Sequence, residues 1–326
     1  MKKKIVFSHN MPLDGFEEYV KDFEIVRPAE PLAKFSREQA EQAMQDASVF
    51  ICIADFVCDR ALMERSDKLE CVGNLGSGFN NVDVDYATSR GIYVLNTPTA
   101  VMEPTSEMTI ALMLSVCRST VRYDRDLRRE KVCTPTLLFV RDMMLYGKTL
   151  GVIGFGRIGK SVARKAVGLG MKVIYNDLYR ASEQEEQALN ATFMQADEVI
   201  KNCDVLTLHM PYLPEYHHYM NDARFAMMKK TAYLINASRG PIVEEKALVK
   251  ALKEGIIRGA ALDVHEFEPN ISEEIIALPN IVITPHCCTN IAEIRLNMLC
   301  ELLEGVDALA HGRMANNVVN RSLCQK

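Results

Sequence analysis

A histidine followed directly by two cysteines stands in the stretch "TPHCC", residues 284–288, after the apolar run "NIVI". Histidine and thiolates can bind zinc, paired cysteines can carry redox chemistry, and a histidine alone can give or take a proton near neutral pH. A zinc site needs further ligands at suitable spacing, and neighbouring cysteines rarely both reach one ion. Redox pairs are usually separated by two residues, and the chain contains no C-x-x-C. The pattern therefore favours His286 as a proton donor and predicts no metal site.

A second chemical pattern is the glycine run of "GVIGFGRIGKSV", in which Gly154, Gly156 and Gly159 follow an apolar strand pattern and open a helix pattern. In a dinucleotide site the first glycine makes a tight turn, the second admits the pyrophosphate, and the third lets helix and strand pack closely. The next predicted strand ends in Asp177, which would bind the adenosine ribose and repel a 2′-phosphate. This predicts NAD rather than NADP, although Arg180 is close enough in sequence to compensate.

Short apolar runs alternate with amphipathic segments along the whole chain. The runs are apolar throughout rather than alternating, as expected for parallel strands covered on both faces. The predicted strands span residues 4–9, 48–53, 69–76, 92–96, 149–155, 172–177, 204–209, 232–237, 259–264 and 281–286. The fold class predicted is α/β, with two doubly wound parallel-sheet domains.

The order of these segments predicts a discontinuous domain. A single long helix is expected from about Glu103 to Glu130, and Ser36 is a candidate helix cap. The amphipathic segment 291–312 should form another long helix that packs back on the first domain. We therefore expect residues 1–100 and 290–326 to form one domain, around an inserted domain of residues 101–289.

Composition excludes several classes of partner. The 326 residues carry a net charge of -5 and no long basic run, so neither nucleic acid nor an anionic membrane is an expected partner. No apolar stretch approaches the length of a membrane span, and "MKKKIVFSHN" is too polar for a signal peptide. The ten cysteines are mostly single and lie in apolar runs, which indicates reduced, buried thiols. These observations predict a cytoplasmic protein.

Five stretches, "NLGSGFNNVD", "GKTLGVIGFGRIG", "INASRGPIVEEKAL", "GAALDVHEFEP" and "NIVITPH", together resemble the D-isomer-specific 2-hydroxyacid dehydrogenases. The resemblance runs from about residue 48 to 312. It implies a central Rossmann dinucleotide-binding domain inserted in a flavodoxin-like substrate domain. It also implies an NAD-dependent enzyme that interconverts a small 2-oxo acid and the D-2-hydroxy acid, and a homodimer in which the helix at 103–130 could form the interface.

By this resemblance, catalysis depends on Arg239, Glu268 and His286. Histidine suits proton donation, a neighbouring carboxylate orients its ring, and the fixed donors of arginine suit a substrate carboxylate. His265 is a rival for the proton donor. His209 is expected to mark the edge of the cofactor site.

The resemblance also assigns positions that bind substrate or cofactor. The substrate-binding residues it implies are Ser77, Gly78, Arg239 and His286. The cofactor-binding residues it implies are Thr105, Gly154, Gly156, Arg157, Ile158, Gly159, Asp177, Met210, Pro211, Ala237, Ser238, Arg239, Asp263 and His286. Asn74 stands where some phosphoglycerate-acting relatives have a basic residue, which favours a small, unphosphorylated substrate such as glyoxylate, hydroxypyruvate or a branched or aromatic 2-oxo acid.

Two other functions remain open at this point. Some proteins of this fold bind NAD(H) and act as corepressor-like sensors, although the presence of all three catalytic residue types favours an enzyme. Formate or phosphite oxidation is a neighbouring chemistry, but no loop singles it out.

Overall fold

The computed structural model describes residues 2–31, 33–133 and 142–325. The chain divides into two compact units. Unit 1 consists of Met1–Val101 and Thr289–Lys326, and unit 2 consists of Met102–Cys288.

We number strands and helices along the chain. The strands are β1 (Lys3–Phe7), β2 (Phe23–Val26), β3 (Val49–Ile53), β4 (Cys71–Leu75), β5 (Tyr93–Leu95), β6 (Thr149–Ile153), β7 (Lys172–Asn176), β8 (Ala191–Phe193), β9 (Val205–Leu208), β10 (Tyr233–Asn236), β11 (Gly259–Leu262) and β12 (Ile281–Ile283). The α-helices are α1 (Glu17–Val20), α2 (Arg37–Ala43), α3 (Arg60–Met63), α4 (Val84–Ser89), α5 (Met102–Cys117), α6 (Thr120–Glu130), α7 (Arg157–Gly168), α8 (Glu183–Ala188), α9 (Ala196–Asn202), α10 (Asp222–Met227), α11 (Glu245–Lys253), α12 (Glu273–Ile276) and α13 (Ala292–Ala310). Short 3-10 helices cover Pro214–Tyr216, Gly240–Ile242 and Arg321–Gln325.

Unit 1 is built on a parallel sheet with the strand order β2-β1-β3-β4-β5. This is the flavodoxin-like order. The long helix α13 packs on β4, where a Cβ added to Gly73 would lie only 3.1 Å from Leu302 Cδ1. The expected return of the C-terminal helix to the first unit is therefore confirmed. The cap at Ser36 is also confirmed, since its side chain and that of Gln39 form a capping box.

Unit 2 contains a parallel sheet of seven strands in the order β12-β11-β10-β9-β6-β7-β8. The strand that starts the unit, β6, lies between β7 and β9, which is the reversal found in the Rossmann order. Strands β9 and β10 are fully buried because helices cover both faces of the sheet. The predicted fold class, two doubly wound parallel sheets of the flavodoxin-like and Rossmann kinds, is confirmed.

All ten predicted strands are present with slightly shorter bounds, but two further strands escaped the sequence pattern. These are β2 and β8, and each lies at the edge of its sheet. Phe23 is the one buried residue of β2, and β8 has only three residues. Glu24 interrupts the apolar residues of β2, and β8 is too short to form an apolar run, so the signal used for the other ten was missing.

The single helix expected from 103 to 130 is wrong in one respect, because the structure contains two helices there. Helix α5 ends at Cys117, whose carbonyl accepts a hydrogen bond from the Met143 backbone at 2.8 Å. Ser119 then adopts a left-handed conformation with φ 51. Eight residues of α5 are buried but none of α6 is, so the break falls where the apolar face ends.

Within the described residues, no helix is both long enough and apolar enough to cross a membrane.

Candidate active site

The glycine loop after β6 has the backbone geometry that a dinucleotide needs. Gly154 has φ 89, and a Cβ there would lie 2.6 Å from backbone atoms of His209 and Met210. A Cβ on Gly159 would lie 2.2 Å from the Gly154 carbonyl oxygen, so helix α7 can approach the loop only without a side chain. Gly156 faces open space and caps α7 without a side-chain hydrogen bond. The first N–H groups of α7 are therefore available to a phosphate, with room above them.

Asp177 follows β7 and is fixed beside this loop. Its Oδ2 accepts a hydrogen bond from the Phe155 backbone at 2.5 Å, and its Oδ1 accepts one from the Tyr179 backbone at 3.1 Å. Arg180, which could have compensated the charge of Asp177, is instead bound to Glu186 through two hydrogen bonds of 2.9 Å. The predicted ribose-binding carboxylate therefore lies at the glycine loop, and the nearby arginine is paired elsewhere. These residues fit NAD.

The other predicted cofactor positions in unit 2 differ in exposure. Thr105, Met210, Ala237 and Ser238 are buried, Ile158 is partly buried, and Arg157 and Pro211 are exposed. Most of these positions would act through backbone atoms, so their side chains carry little information about the cofactor.

His209 lies in the loop that contacts Gly154. Its Nε2 is 2.9 Å from Thr207 Oγ1, and burial lowers the pKa of His209 to about 3. The imidazole is therefore neutral at physiological pH, which makes it unsuited to proton donation. Its place beside the glycine loop agrees with the expectation that it marks the edge of the cofactor site.

His286 and Glu268 form a hydrogen-bonded pair, with 2.9 Å between His286 Nδ1 and Glu268 Oε2. The second oxygen of Glu268 accepts a hydrogen bond from the His265 backbone at 2.8 Å. Burial alone would raise the pKa of Glu268, but the hydrogen bonds from His286 and the His265 backbone outweigh it and the pKa is lowered. Glu268 is thus a carboxylate that can only accept, so Nδ1 of His286 carries a proton and Nε2 is the atom free to exchange one.

The rival groups are occupied by other contacts. The His265 ring is buried and its Nε2 lies 3.0 Å from the Thr284 carbonyl oxygen, so this nitrogen already has a partner inside the protein. Glu266 lies 2.6 Å from His218 Nε2 and accepts a hydrogen bond from the Glu245 backbone at 2.8 Å. Neither group is placed to replace the pair of His286 and Glu268.

Arg239 is presented by a tight turn after β10. The Asn236 side chain closes this turn, because it accepts from the backbone and hydroxyl of Ser238 at 3.1 and 2.7 Å and donates to the Arg239 carbonyl at 2.9 Å. A Cβ on Gly240 would lie 1.8 Å from the His265 carbonyl oxygen. Only glycine allows this contact, which brings Arg239 beside the segment that carries Glu268.

The Arg239 guanidinium makes a single hydrogen bond within the described residues, to the Ser238 carbonyl at 2.6 Å. Burial lowers the pKa of Arg239, while the charge of Glu268 opposes this shift. The arginine keeps its proton all the same, because its pKa starts so far above neutrality. Most of its donors are therefore open to an anionic ligand such as a carboxylate.

Asp263 accepts hydrogen bonds from four residues of the histidine loop. Its carboxylate accepts from the Thr284 hydroxyl at 2.5 Å and from the backbone N–H groups of Cys287 and Cys288 at 3.0 and 3.1 Å, while its carbonyl accepts from the His286 backbone at 2.7 Å. These bonds hold His286 at φ 52, a conformation that costs a non-glycine residue about 1–3 kcal/mol. We call this set of contacts the Asp263 clasp. Its carboxylate was predicted to lie near the cofactor, and the structure places it inside the loop.

The surroundings of Cys287 and Cys288 do not favour reactive thiolates. Burial and then the charge of Asp263 raise the pKa of Cys287, and burial raises that of Cys288 far above neutrality. Zinc binding and thiol redox chemistry both use the thiolate, which these surroundings disfavour. In the described segments no group of three or more His, Cys, Asp or Glu side chains could hold a metal ion.

In unit 1, a network of asparagines fixes the loop after β4 that carries Ser77 and Gly78. Asn74 donates to the Gly78 carbonyl at 2.6 Å, and Asn96 donates to the Ser77 carbonyl at 2.8 Å. Asn74 is fully buried and also accepts a hydrogen bond from Asn81 at 2.9 Å. Its side chain therefore positions the loop, so its residue type says less about the substrate than we expected.

Asn236 was not predicted as a positioning residue, and the resemblance assigned Asp263 to the cofactor rather than to the histidine loop. Asn236 precedes "ASRG" at a strand end, where an asparagine commonly closes a turn, so its residue type was a usable signal. The role of Asp263 had no such signal, because its partners lie more than twenty residues further along the chain.

Comparison with known protein families gives a specific match. Residues 110–288 match the family model described as "D-isomer specific 2-hydroxyacid dehydrogenase, NAD binding domain". The chain is 36% identical over 328 residues to a glyoxylate reductase of Thermococcus litoralis. This alignment covers 99% of this chain and 98% of that protein.

Solved structures agree over nearly the full length. A glyoxylate reductase from Paecilomyes thermophila superposes with a TM-score of 0.89 at 25% identity, covering 98% of this chain and 99% of that one. A D-lactate dehydrogenase from Aquifex aeolicus, solved with NAD and lactic acid, gives a TM-score of 0.83 at 26% identity, covering 97% and 99%. The chain therefore belongs to the D-isomer-specific 2-hydroxyacid dehydrogenases, and its cofactor is NAD.

Proposed function

We propose that the protein reduces a small 2-oxo acid to the D-2-hydroxy acid, with His286 as the proton donor. The observation that carries this proposal is the pair of His286 Nδ1 and Glu268 Oε2 at 2.9 Å, which leaves Nε2 to exchange a proton. NADH, when bound, supplies the hydride. Within unit 2 the glycine loop, Arg239, Glu268 and His286 all follow the carboxyl ends of parallel strands, where ligands bind in such sheets.

Arg239 is proposed to bind the substrate carboxylate and polarise the carbonyl, because its donors are largely unused and fixed in a planar fork. In unit 1, Ser77 and Gly78 are proposed to bind a carboxylate through their backbone N–H groups. Their carbonyls are tied to asparagines, which gives the loop a fixed conformation.

The substrate class we propose is a small, unphosphorylated 2-oxo acid such as glyoxylate, hydroxypyruvate, or a branched or aromatic relative. The named relatives act on glyoxylate and lactate, which are small acids of this kind. The test is to add each 2-oxo acid to purified protein with NADH and follow the loss of NADH absorbance. Formate and phosphite with NAD serve as controls for the neighbouring chemistries.

A corepressor-like sensor would bind NADH and leave it unconsumed by every acid of the panel. Tight NADH binding with no turnover would therefore contradict the proposal. Turnover that is lost in His286→Asn, with NADH binding kept, would support it.

We also propose that the protein is a homodimer that associates through α6. Tyr123 and Leu127 lie four residues apart on this helix, and their exposed fractions are 41% and 49%. Large apolar side chains on a helix with no buried residue are suited to contact with a second chain.

A further inference from the structure

Arg180 lies three residues after the ribose-binding Asp177. An arginine at such a place is the usual partner for the 2′-phosphate of NADP. The chain thus carries both the residue that disfavours this phosphate and a residue that could bind it. Which of them prevails depends on where the arginine is held.

The structure holds Arg180 against helix α8. Its Nε and Nη2 donate to the two carboxylate oxygens of Glu186, each at 2.9 Å, and its guanidinium lies 5.8 Å from the centre of the Phe193 ring. A two-point pair of this kind fixes the plane of the guanidinium as well as its position.

Glu186 is itself fixed from the other side. The Tyr175 hydroxyl donates to Glu186 at 2.6 Å, and the side chain of Glu186 is only 12% exposed. Tyr175 is fully buried and stacks on Phe155 of the glycine loop at 3.8 Å between ring centres. Glu186 is therefore preorganised for Arg180 before any ligand arrives.

The protonation states of Glu186 and Tyr175 are consistent with these hydrogen bonds. The hydrogen bonds from Arg180 and then Tyr175 lower the pKa of Glu186 to about 2, so it is ionised at any pH where the protein would work. Burial and the hydrogen bond to Glu186 raise the pKa of Tyr175 to about 12, so the tyrosine remains a donor.

We propose that Glu186 is a cofactor-specificity residue: by holding Arg180 on α8, it withholds the cation that a 2′-phosphate needs and so excludes NADPH. The inference rests on the preference for NAD over NADP that Asp177 predicts, and it assigns part of this preference to a residue outside the nucleotide site. Asp177 repels the phosphate, and Glu186 keeps Arg180 from compensating.

The test is a direct titration of each variant with NADH and with NADPH, followed by the fluorescence of the reduced nicotinamide. The variants are Glu186→Gln, Asp177→Asn, the double variant, and Glu186→Gln combined with Arg180→Ala. Glutamine keeps the size of Glu186 and an acceptor for Tyr175, so the fold should be preserved, as unchanged thermal midpoints would verify. Glu183→Gln is the matched control, because Glu183 is on the same helix and has no ion pair within the described residues.

We expect Glu186→Gln to bind NADPH roughly tenfold more tightly than the wild type while its NADH affinity changes less than about twofold. The double variant should gain about a further tenfold for NADPH. Adding Arg180→Ala should abolish the gain of Glu186→Gln, and Glu183→Gln should behave as wild type.

Two failures can be told apart. If the wild type binds NADH and NADPH equally well, the proposed NADH preference is wrong and this inference falls with it. If the wild type prefers NADH but Glu186→Gln leaves NADPH binding unchanged, the role of Glu186 alone is overturned.

Discussion

At the scale of single residues, His286 is distinguished by what its ring contacts rather than by its neighbours in sequence. Glu268 occupies Nδ1, while the adjacent Cys287 and Cys288 contribute backbone N–H groups to the Asp263 clasp. The sequence could predict the histidine because a proton donor needs a group that titrates near neutrality. It could not show that the cysteines serve through their backbone, because that depends on Asp263 lying beneath them.

His286→Asn should lower turnover of 2-oxo acid reduction by roughly 10²–10⁴-fold, the usual contribution of a positioned acid. Cys287→Ala and Cys288→Ala should each cost far less, because neither thiol has a chemical step to perform. Steady-state rates with saturating NADH measure this difference. If either cysteine variant were as inactive as His286→Asn, the acid–base interpretation of the loop would be wrong.

His209 should make the ligand-free protein sensitive to mild acid. Its folded-state pKa of about 3 lies below the unfolded value of about 6.5, so the folded state favours the neutral ring. The resulting stability is complete above pH 6.5 and is lost as the pH falls toward 3. Between pH 6.5 and 5 the free energy of unfolding should drop by about 2 kcal/mol more in the wild type than in His209→Gln. Urea unfolding of both proteins at the two pH values measures this, and equal slopes would contradict it.

At the scale of elements, the buried strands and the glycine loop were predicted from local sequence patterns, and the break between α5 and α6 was not. Buried strands such as β9 and β10 can be recognised in the sequence as short apolar runs. The glycine loop can be recognised by the spacing of its glycines. The break between α5 and α6 was missed because the helical pattern continues in sequence, while the burial that stabilises α5 stops. The polar composition of α6, "TVRYDRDLRRE", was the available signal that the buried helix ends before it.

Replacement of Gly156 and replacement of Gly159 should have different effects. Gly156→Ala should fold like the wild type, since its Cβ would meet nothing within 4 Å, but it should bind NADH at least about tenfold more weakly by filling phosphate space. Gly159→Ala should also lose thermal stability, because its Cβ would lie 2.2 Å from a backbone oxygen. Thermal melts and NADH titrations of both variants separate the two effects. A stable Gly159→Ala protein would show that α7 can move away without cost.

The Asp263 clasp should be the main support of the histidine loop. Asp263→Asn removes the charge and places an amide donor against backbone N–H groups, so the free energy of unfolding should fall by about 1–3 kcal/mol. Thr284→Val removes a single hydrogen bond and is the milder comparison. Denaturant unfolding ranks the two, and an Asp263→Asn protein as stable as Thr284→Val would mean that the carboxylate is not the organising group.

At the scale of the whole molecule, the sequence predicted the two doubly wound sheets and the family, because both depend on the order of elements along the chain. Association between chains depends on surfaces instead, and here the structure contributes the exposed apolar side chains of α6.

Leu127→Asp should convert the proposed dimer into a monomer, because it places a charge in an apolar contact. Leu127 is 49% exposed, so the fold itself should be unaffected. Ile276→Asp is the control, since Ile276 is 59% exposed on α12. Light scattering gives the mass of each protein. A monomeric wild type would refute the dimer, and a dimeric Leu127→Asp would move its interface away from α6.

The Asp263 clasp also bears on how this part of the sequence can drift over evolutionary time. The carboxylate accepts from main-chain N–H groups of positions 287 and 288, which every residue except proline possesses, and the Cys287 thiol adds only a weak donor at 3.6 Å. Many small side chains can therefore be exchanged there while the main-chain bonds remain. Asp263 itself cannot be exchanged in this way, because its carboxylate makes the hydrogen bonds. A search for distant relatives that asks for particular residues after the histidine would discard true members, whereas one that pairs the histidine with an aspartate directly after β11 would retain them.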